Sequence, residues 1–325
     1  MTRFIVFNLF IFFLSIYLLT AAGTNFYNMD TSILRLQVAK SLIESSDLSV
    51  PDGLKGVDGR HFSWFGIGSA LLAVPFYIIG KLIGVPEIAV SMMNQLFGAA
   101  TVVLIFLVTL FLGYSKRASL LIAFFYGLGT MAWPLAKQPF DNIIEIFFIL
   151  LSVYCIYLYC VKKKVLLLLL SAFSLGCAFV TRTTSVLVIP ALFILLIVHC
   201  SKVSGFKSTV KLMTRDIVLF SIVFLPFLGL SLWYNYYLFG SIFETGYQLI
   251  STRCGIDFFT GTSLLTGQQG FLVSPGKGFF YYSPVAVLFF FSIKGFIKRH
   301  KGLGISFISF AIYTAVKLRK AVQCN

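Results

Sequence analysis

Long apolar runs separated by short polar segments dominate the chain. Nine strong runs lie near residues 4–22, 88–112, 118–135, 143–161, 165–181, 184–200, 217–237, 279–296 and 302–316. About 20 apolar residues cross the hydrocarbon core of a bilayer, so these runs predict membrane-spanning helices. We therefore predict an all-α polytopic membrane protein, a helical bundle with about nine transmembrane helices in one domain, residues 1–325. The first run follows Arg3 and is interpreted as a signal anchor, with a cleaved signal peptide as the alternative.

A tenth run, "FSWFGIGSALLAVPFYIIG" at 62–80, is ambiguous because glycines and a proline interrupt it. Basic residues decide its placement. Thirteen of them lie in four alternate loops: Lys116, Arg117; Lys162, Lys163, Lys164; Lys202, Lys207, Lys211, Arg215; and Lys294, Lys298, Arg299, Lys301.

If the N-terminus is cytoplasmic and 62–80 spans the membrane, all thirteen face outward, against the rule that basic loops stay in the cytoplasm. We therefore interpret 62–80 as an interfacial or re-entrant segment. An outward N-terminus with a spanning 62–80 gives the same four cytoplasmic loops and is the rival topology.

The preferred topology places two long loops, 23–87 and 238–278, on the outer face, together with short turns around 136–142 and 182–183. The terminal segment "KLRKAVQCN" would then carry Lys317, Arg319 and Lys320 on the outer face, against the same rule. A truncated reading frame and a basic tail that tolerates its position both explain this exception.

Composition supports the membrane class, since 58% of residues are hydrophobic, 11% are charged and the mean hydropathy is +0.94. The net charge of +15 resides in short loops, so it indicates membrane orientation and not nucleic-acid binding. The six cysteines and three histidines form no metal-ligand spacing.

Two aspartates of the outer segments are candidate catalytic residues. Asp30 in "NMDTSILRL" is expected either to cap a short amphipathic helix or to act as a general base at the membrane surface. Asp141 in "QPFDNIIEIFF" is expected to cap the next helix, and Glu145 stands one turn further in. Asp30 and Asp141 together suit acid–base chemistry or a divalent cation held by oxygen ligands. Whether a metal is required stays open.

Three cations are candidates for a phosphate group. Arg182 in "FVTRTTSVLVIP" suits bidentate phosphate binding, with an interfacial, snorkelling arginine as the alternative. Lys277 lies in the flexible "GFLVSPGKGFFYYSP" segment, and Arg60 lies in "GRHF". In "LWYNYYLFGSIFETGYQ", the side chains of Glu244, Tyr247 and Gln248 are candidate substrate contacts, although most of its rings suit an interfacial aromatic belt.

An acidic residue soon after the first span, followed by "FSWFGIGSALLAVPFYIIGKLIG", resembles the first outer loop of GT-C glycosyltransferases. The similarity is to bacterial relatives of protein O-mannosyltransferases and aminoarabinose transferases, and it runs over roughly residues 5–315. "FVTRTTSVLVIP", "FGSIFETGYQ" and "GFLVSPGKGFFYYSP" also resemble segments of that group.

The resemblance implies a GT-C-like bundle with juxtamembrane helices in the first outer loop. It also implies a polyprenyl-phosphate sugar as donor, inverting transfer on the outer face, and Asp30 as the base. The sequence departs from that pattern in two ways. Thr31 stands where many relatives have a second acidic residue, and relatives continue into further spans and often a soluble domain. Both departures bear on activity more than on fold.

We therefore predict a membrane glycosyltransferase whose partners are a polyprenyl-phosphate sugar and membrane lipids. Its acceptor is a lipid, a glycan or a protein. The expected location is a bacterial inner or plasma membrane, with the N-terminus in the cytoplasm. A lipid or solute transporter and an inactive fragment of a transferase are the alternatives. Transporters tend to show internal repeats and polar groups at mid-membrane, and the sequence shows no clear repeat. The oligomeric state stays open.

Overall fold

The computed structural model describes residues 2–21, 30–200, 206–254, 269–270, 272–275 and 278–306. Helices account for nearly all of the regular structure. They are α1 (Thr2–Leu19), α2 (Asp30–Glu44), α3 (Ile67–Leu82), α4 (Pro86–Phe111), α5 (Lys116–Gly129), α6 (Ala132–Lys137), α7 (Asn142–Lys162), α8 (Val165–Thr181), α9 (Ile189–Cys200), α10 (Phe206–Phe239), α11 (Gly246–Cys254), α12 (Phe279–Tyr282) and α13 (Leu288–Arg299).

Shorter elements complete the described part. The strands β1 (Ser49–Lys55) and β2 (His61–Phe62) form an antiparallel hairpin between α2 and α3. Two 3-10 turns, Thr183–Val188 and Pro284–Val287, precede α9 and α13.

Four of the described helices are long and apolar enough to cross a bilayer: Thr2–Leu19, Pro86–Phe111, Asn142–Lys162 and Met213–Phe239. Shorter apolar helices cover Ile67–Leu82, Val165–Thr181 and Thr183–Val198. The predicted all-α membrane class is confirmed, whereas the count of about nine spans is not. The last predicted run, 302–316, lies outside the described residues beyond position 306.

Two predicted spans are not single helices. The run 118–135 divides into α5 and α6 because the Thr130 hydroxyl donates to the carbonyl of Tyr126 and accepts from the amide of Ala132. The run 279–296 divides at Ser283 and Pro284, since proline has no N–H with which to continue α12. The expectation of one continuous span was wrong for each.

The predicted outer segments share one end of the bundle, which we call the loop end. Trp133 Nε1 of α6 donates to Thr20 Oγ1 just beyond α1 at 2.9 Å, and Arg35 of α2 pairs with Asp141 before α7. The backbone amide of Val57 in the hairpin region donates to the carbonyl of Leu238 at the end of α10. Loops distant in sequence therefore meet at this end.

The basic loops share the opposite end, which we call the basic end. Arg299 donates to the carbonyl of Gly113, and its guanidinium lies 5.0 Å from the Tyr114 ring centroid. Arg215 donates to the hydroxyl of Tyr159, close to the Lys162–Lys164 loop. Because α1 ends at the loop end, its N-terminus lies with the basic loops. Which side of the membrane this end faces stays a prediction.

Helix α3 lies across the loop end. Gly66 and Gly68 at its start approach Val180 and Thr181 at the end of α8, while Gly80 near its finish approaches Pro86 at the start of α4. Helix α2 packs on α3, and Glu44 Oε1 accepts hydrogen bonds from Tyr77 and Lys81. Two helices lying on the loop end are the arrangement expected of juxtamembrane helices. Their depth in the bilayer stays a prediction.

The close contact between α3 and α8 gives a test of this arrangement. A Cβ atom at position 68 would lie 2.5 Å from the Thr181 amide nitrogen, so Gly68→Ala forces the helices apart at a cost of about 1–3 kcal/mol. Gly229→Ala is the matched control, because its Cβ would meet no atom within 4 Å. We expect a lower midpoint of thermal unfolding in detergent for Gly68→Ala alone. Equal midpoints for the two variants would contradict the close approach of α3 to α8.

Candidate functional site

A buried cluster of Arg35, Asn94 and Asp141, the Arg35 cluster, lies at the centre of the loop end. Arg35 NH2 lies 2.5 Å from Asp141 Oδ1, and NH1 donates to Asn94 Oδ1 at 2.9 Å. Arg35 is only 2% exposed and Asp141 only 3% exposed. A buried charge is stable only when it is paired and hydrogen-bonded. The cluster therefore fixes α2 against both α4 and the start of α7.

The same cluster holds the irregular segment between α6 and α7. Arg35 NH2 also donates to the carbonyl of Pro139 at 2.9 Å. Asn94 Nδ2 donates to the carbonyls of Gln138 and Phe140, both at 2.7 Å. Three consecutive carbonyls without helical partners thus gain donors. Non-helical backbone near membrane depth needs such donors because water is scarce there.

Asp141 does not have the local role that the sequence suggested. It stands at the N-cap position of α7, but its side chain makes no capping hydrogen bond because its carboxylate faces Arg35. Arg35 was missed in the sequence, since an arginine between Leu34 and Leu36 on a short surface helix usually indicates a solvated side chain. Its partner lies 106 positions away.

Arg182 lies beside the cluster, where α8 ends and the chain becomes extended. Its guanidinium donates to Asn142 Oδ1 at 3.0 Å and lies 3.2 Å from Glu145 Oε2. The Ser185 hydroxyl donates to the other Glu145 oxygen at 2.7 Å. These contacts satisfy the acidic residue inside α7, and they leave Arg182 32% exposed.

Arg182 also lines a small pocket of about 30 Å³, here called the arginine pocket. Polar and aromatic residues from several segments also line it. They include Ser63 and Trp64 before α3, Thr183 directly after Arg182, Asn235 of α10, and Thr245 and Tyr247 at the start of α11. Burial raises the pKa of the Tyr247 hydroxyl; the Arg182 charge opposes this rise, and the Asp141 and Glu145 charges add to it. Tyr247 therefore lies close to these charges and stays a neutral hydrogen-bonding group at neutral pH.

The two other candidate substrate contacts on this segment do not line the pocket. Gln248 Oε1 accepts from the backbone N–H and from the hydroxyl of Thr245. In return, the backbone N–H of Gln248 donates to Thr245 Oγ1. This reciprocal pattern is a capping box at the start of α11. Glu244 is exposed and is absent from the pocket lining. The side-chain oxygen of Gln248 is used by this helix cap, and a contact between Gln248 and substrate stays a prediction.

Arg60, predicted to bind phosphate, is bound by carboxylates. Its guanidinium contacts Asp47 at 2.8 Å and Asp58 at 2.5 Å, and it lies 5.3 Å from the Phe62 ring centroid. Two carboxylates around one guanidinium leave no excess positive charge for a phosphate. Arg60 therefore closes the β1–β2 hairpin.

Two sequence candidates lie wholly or partly outside the described residues. Lys277 is one of them, and the side chain of Asp30 is the other. The backbone shows that α2 begins at Asp30, five residues before Arg35. Five helical residues rise roughly 7.5 Å, so the Arg35 cluster fixes the position from which the Asp30 side chain departs.

A second pocket, here called the lysine pocket, opens on the other side of the segment between α6 and α7. It holds about 940 Å³ and is lined by the ends of α1 and α5, by α6 and by α12. Lys137, which sequence reasoning did not single out, is half-buried in its wall. A basic residue within an apolar-aromatic stretch, "MAWPLAKQPF", was the available signal.

The sequence left open whether the aspartate pair holds a divalent cation. Within the described residues, no group of three or more His, Cys, Asp or Glu side chains is placed to hold a metal ion. Arg35 already occupies one carboxylate oxygen of Asp141, so a cation shared with Asp30 would compete with a buried guanidinium.

Comparison with known families agrees with this architecture. Residues 72–230, just under half of the chain, match the family model described as dolichyl-phosphate-mannose-protein mannosyltransferase. The match confirms the resemblance stated above and supports a membrane glycosyltransferase of the GT-C type. The matched region includes Asn94, Lys137, Asp141 and Arg182. Neither curated proteins nor solved structures gave a match to the chain.

The Arg35 cluster predicts a strong coupling between its two charges. Arg35→Met leaves the Asp141 carboxylate unpaired and Asp141→Leu leaves the Arg35 guanidinium unpaired, and each is expected to destabilise the fold by about 3–5 kcal/mol. Arg35→Met combined with Asp141→Leu is expected to lose much less than the sum, because no unpaired charge remains. Unfolding in detergent measures all three variants, with the exposed Asp52→Asn as control. Additive losses would show that the pair is not coupled.

The hairpin predicts a dependence on acid pH. The pKa of Asp47 is lowered by hydrogen bonds, first from Ser49 and then from Leu48 and Arg60, and the pKa of Asp58 is lowered by Arg60. A lowered pKa adds stability above the unfolded-state value near 4 and loses it as the pH falls through the lower folded value. Wild type is therefore expected to exceed Asp58→Asn and Arg60→Gln in thermal midpoint at pH 7, and to approach both below about pH 4. A constant gap from pH 7 to pH 3 would contradict this.

Proposed function

We propose that the protein transfers a sugar from a polyprenyl-phosphate donor to a lipid, glycan or protein acceptor at its loop end. The observation that carries this proposal is the convergence of the Arg35 cluster, the Arg182–Glu145 pair and two polar pockets at one end of a GT-C-type bundle. Reactive groups at a membrane surface suit a substrate with a lipid tail and a polar head.

The charges of the opposite end set the orientation. The basic residues that the structure describes at or near the basic end favour the cytoplasmic side of the membrane. The loop end then faces outward and the N-terminus lies in the cytoplasm. The reaction accordingly takes place on the extracytoplasmic face of the cell membrane, in the predicted bacterial setting.

In the proposed reaction, Asp30 takes the proton from an acceptor hydroxyl as its oxygen attacks the anomeric carbon. The bond between that carbon and the phosphate oxygen breaks, and the polyprenyl phosphate leaves with the electron pair. Attack opposite to the leaving group inverts the anomeric configuration. The Arg35 cluster supports this role because it fixes the helix whose first residue is Asp30.

Negative charge grows on the leaving phosphate, so preorganised donors near it stabilise the transition state. In the arginine pocket, Arg182 and the neutral Tyr247 hydroxyl are such donors. Glu145 holds the Arg182 guanidinium in place but also cancels part of its charge. Arg182 is therefore better suited to orient a sugar or phosphate than to neutralise a phosphate alone.

An apolar groove offers a place for an isoprenoid chain. It lies between α7 and α9, holds about 650 Å³ and is lined by Ile149, Val153, Val188, Ala191, Leu192, Leu195, Leu303 and Ser306. Val188 ends the 3-10 turn that begins directly after Arg182. If a prenyl tail lay in this groove, the phosphate attached to the tail would point towards the loop end.

The role of Asp30 is tested by replacing it in cells that lack the gene. Lipids and surface glycans are compared by mass spectrometry after complementation with wild type, Asp30→Asn or Asp30→Glu. Loss of a general base is expected to slow transfer about 10²–10⁴-fold, so Asp30→Asn should not restore the missing glycosylated species. Asp30→Glu, which keeps a carboxylate, is expected to restore part of it.

Asp52→Asn serves as the matched control, since Asp52 is an exposed carboxylate of the same loop that accepts from Gln37. Full restoration by Asp30→Asn would reduce Asp30 to a helix cap. No glycan change on deletion of the gene would contradict the transferase proposal and favour a transporter or an inactive fragment.

A further inference from the structure

The cations of the loop end differ in how fully they are neutralised. Arg35, Arg60 and Arg182 each contact at least one carboxylate, and Lys81 pairs with Glu44 at 2.7 Å. Lys137 has no carboxylate or hydrogen-bond partner in the part of the chain that the structure describes. It nevertheless stands half-buried in a large pocket. A half-buried ammonium attracts an anion more strongly than a solvated one does, because the local dielectric is lower.

The lysine pocket combines this charge with groups that suit a carbohydrate. The Trp133 indole N–H donates to Thr20 Oγ1 at 2.9 Å, so the ring is held in one orientation in the wall. Gln138 lines the pocket too and brings a carboxamide, a group that can hydrogen-bond sugar hydroxyls. Tyr282 also lines the pocket, and its hydroxyl donates to the carbonyl of Pro275 at 3.0 Å.

We propose that the lysine pocket binds the phosphorylated sugar portion of a substrate, with Lys137 against the phosphate and Trp133 against the ring. An ammonium recognises phosphate as a point charge, while a fixed aromatic ring packs against the apolar C–H face of a sugar. This inference rests on the proposed transferase function and assigns a substrate subsite within it.

Connectivity places this subsite next to the proposed reaction centre. Lys137 and Gln138 line the pocket, and the next residue, Pro139, accepts from Arg35 through its carbonyl. The carbonyl of Gln138 itself accepts from Asn94. A sugar in the lysine pocket thus lies one residue along the chain from the cluster that fixes α2, while Arg182 of the arginine pocket donates to Asn142, the residue after Asp141. Two subsites about one reaction centre are what a transferase with two substrates requires.

The tryptophans provide a direct binding test in the purified full-length chain in detergent. Trp133 lines the lysine pocket and Trp64 the arginine pocket, and Trp233 is the third tryptophan of the chain. A variant with Trp64→Phe and Trp233→Phe keeps Trp133 as its only reporter. The probes are geranylgeranyl phosphate, glucose 1-phosphate and phosphate-free geranylgeraniol.

We expect a saturable change of Trp133 fluorescence with at least one phosphate probe and none with the alcohol. A response to geranylgeranyl phosphate assigns the pocket to the lipid-linked donor, and one to glucose 1-phosphate alone assigns it to a phosphorylated acceptor. Lys137→Gln is expected to weaken binding at least 10-fold, whereas Lys137→Arg keeps it. Lys81→Gln is the control, because Lys81 lies on α3 outside the pocket.

Other outcomes separate this inference from the proposed function. If Trp133 stays silent while a Trp133→Phe, Trp233→Phe variant reports phosphate binding through Trp64, the phosphate site is the arginine pocket and the inference fails alone. Equal Trp133 responses to geranylgeranyl phosphate and geranylgeraniol would show that Lys137 does not recognise phosphate. Lys137 would then be an interfacial lysine only, and the inference would be overturned. Silence of both reporters overturns the inference, while the Asp30 complementation decides the transferase function independently.

Discussion

The loop end depends on one buried interaction, the ion pair of Arg35 and Asp141 with Asn94 beside it. Burying two charges is costly unless each is fully engaged, so the pair forms only when α2 lies across α4 and the start of α7. The same donors satisfy three consecutive carbonyls between α6 and α7. Without the pair, both the first loop and the irregular segment between α6 and α7 would lose hydrogen bonds that hold them. The geometry of any reaction at this end therefore begins with a contact that need not touch a substrate.

The cations of the loop end differ in how many carboxylates they contact, and this difference determines which of them can bind a phosphate. Arg60 is enclosed by Asp47 and Asp58 and serves the hairpin, while Arg182 shares its charge with Glu145 and serves as an oriented donor. Lys137 keeps its charge unshared within the described residues, which is why it suits a phosphate best. An exposed ion pair contributes little stability, but it decides how much field a cation presents to a ligand.

Breaks in helices create the functional surfaces. Thr130 ends α5, the Gln138–Phe140 segment ends α6, Arg182 ends α8, and Pro284 follows α12. At two of these breaks the freed backbone has a side-chain partner: the Met131 amide donates to Ser283 Oγ, and Arg35 and Asn94 donate to the carbonyls of residues 138–140. Such backbone is tolerated at membrane depth only where protein or a polar cavity surrounds it.

The sequence by itself determined the membrane class, the positions of the long helices and the two opposed ends, because hydropathy and loop charge are properties of short segments. It also indicated Asp30, Asp141 and Arg182 as charges at one end, and the GT-C resemblance that the family match confirms. Only the tertiary structure decided which charges pair. Arg35 meets Asp141 across 106 positions, Gln248 turns back to cap its own helix, and Lys137 is left without a carboxylate among the described residues. The sequence around a lysine or arginine does not show whether its side chain is solvated, paired with a carboxylate or free to bind an anion. That state depends on which residues pack against the side chain in the folded protein.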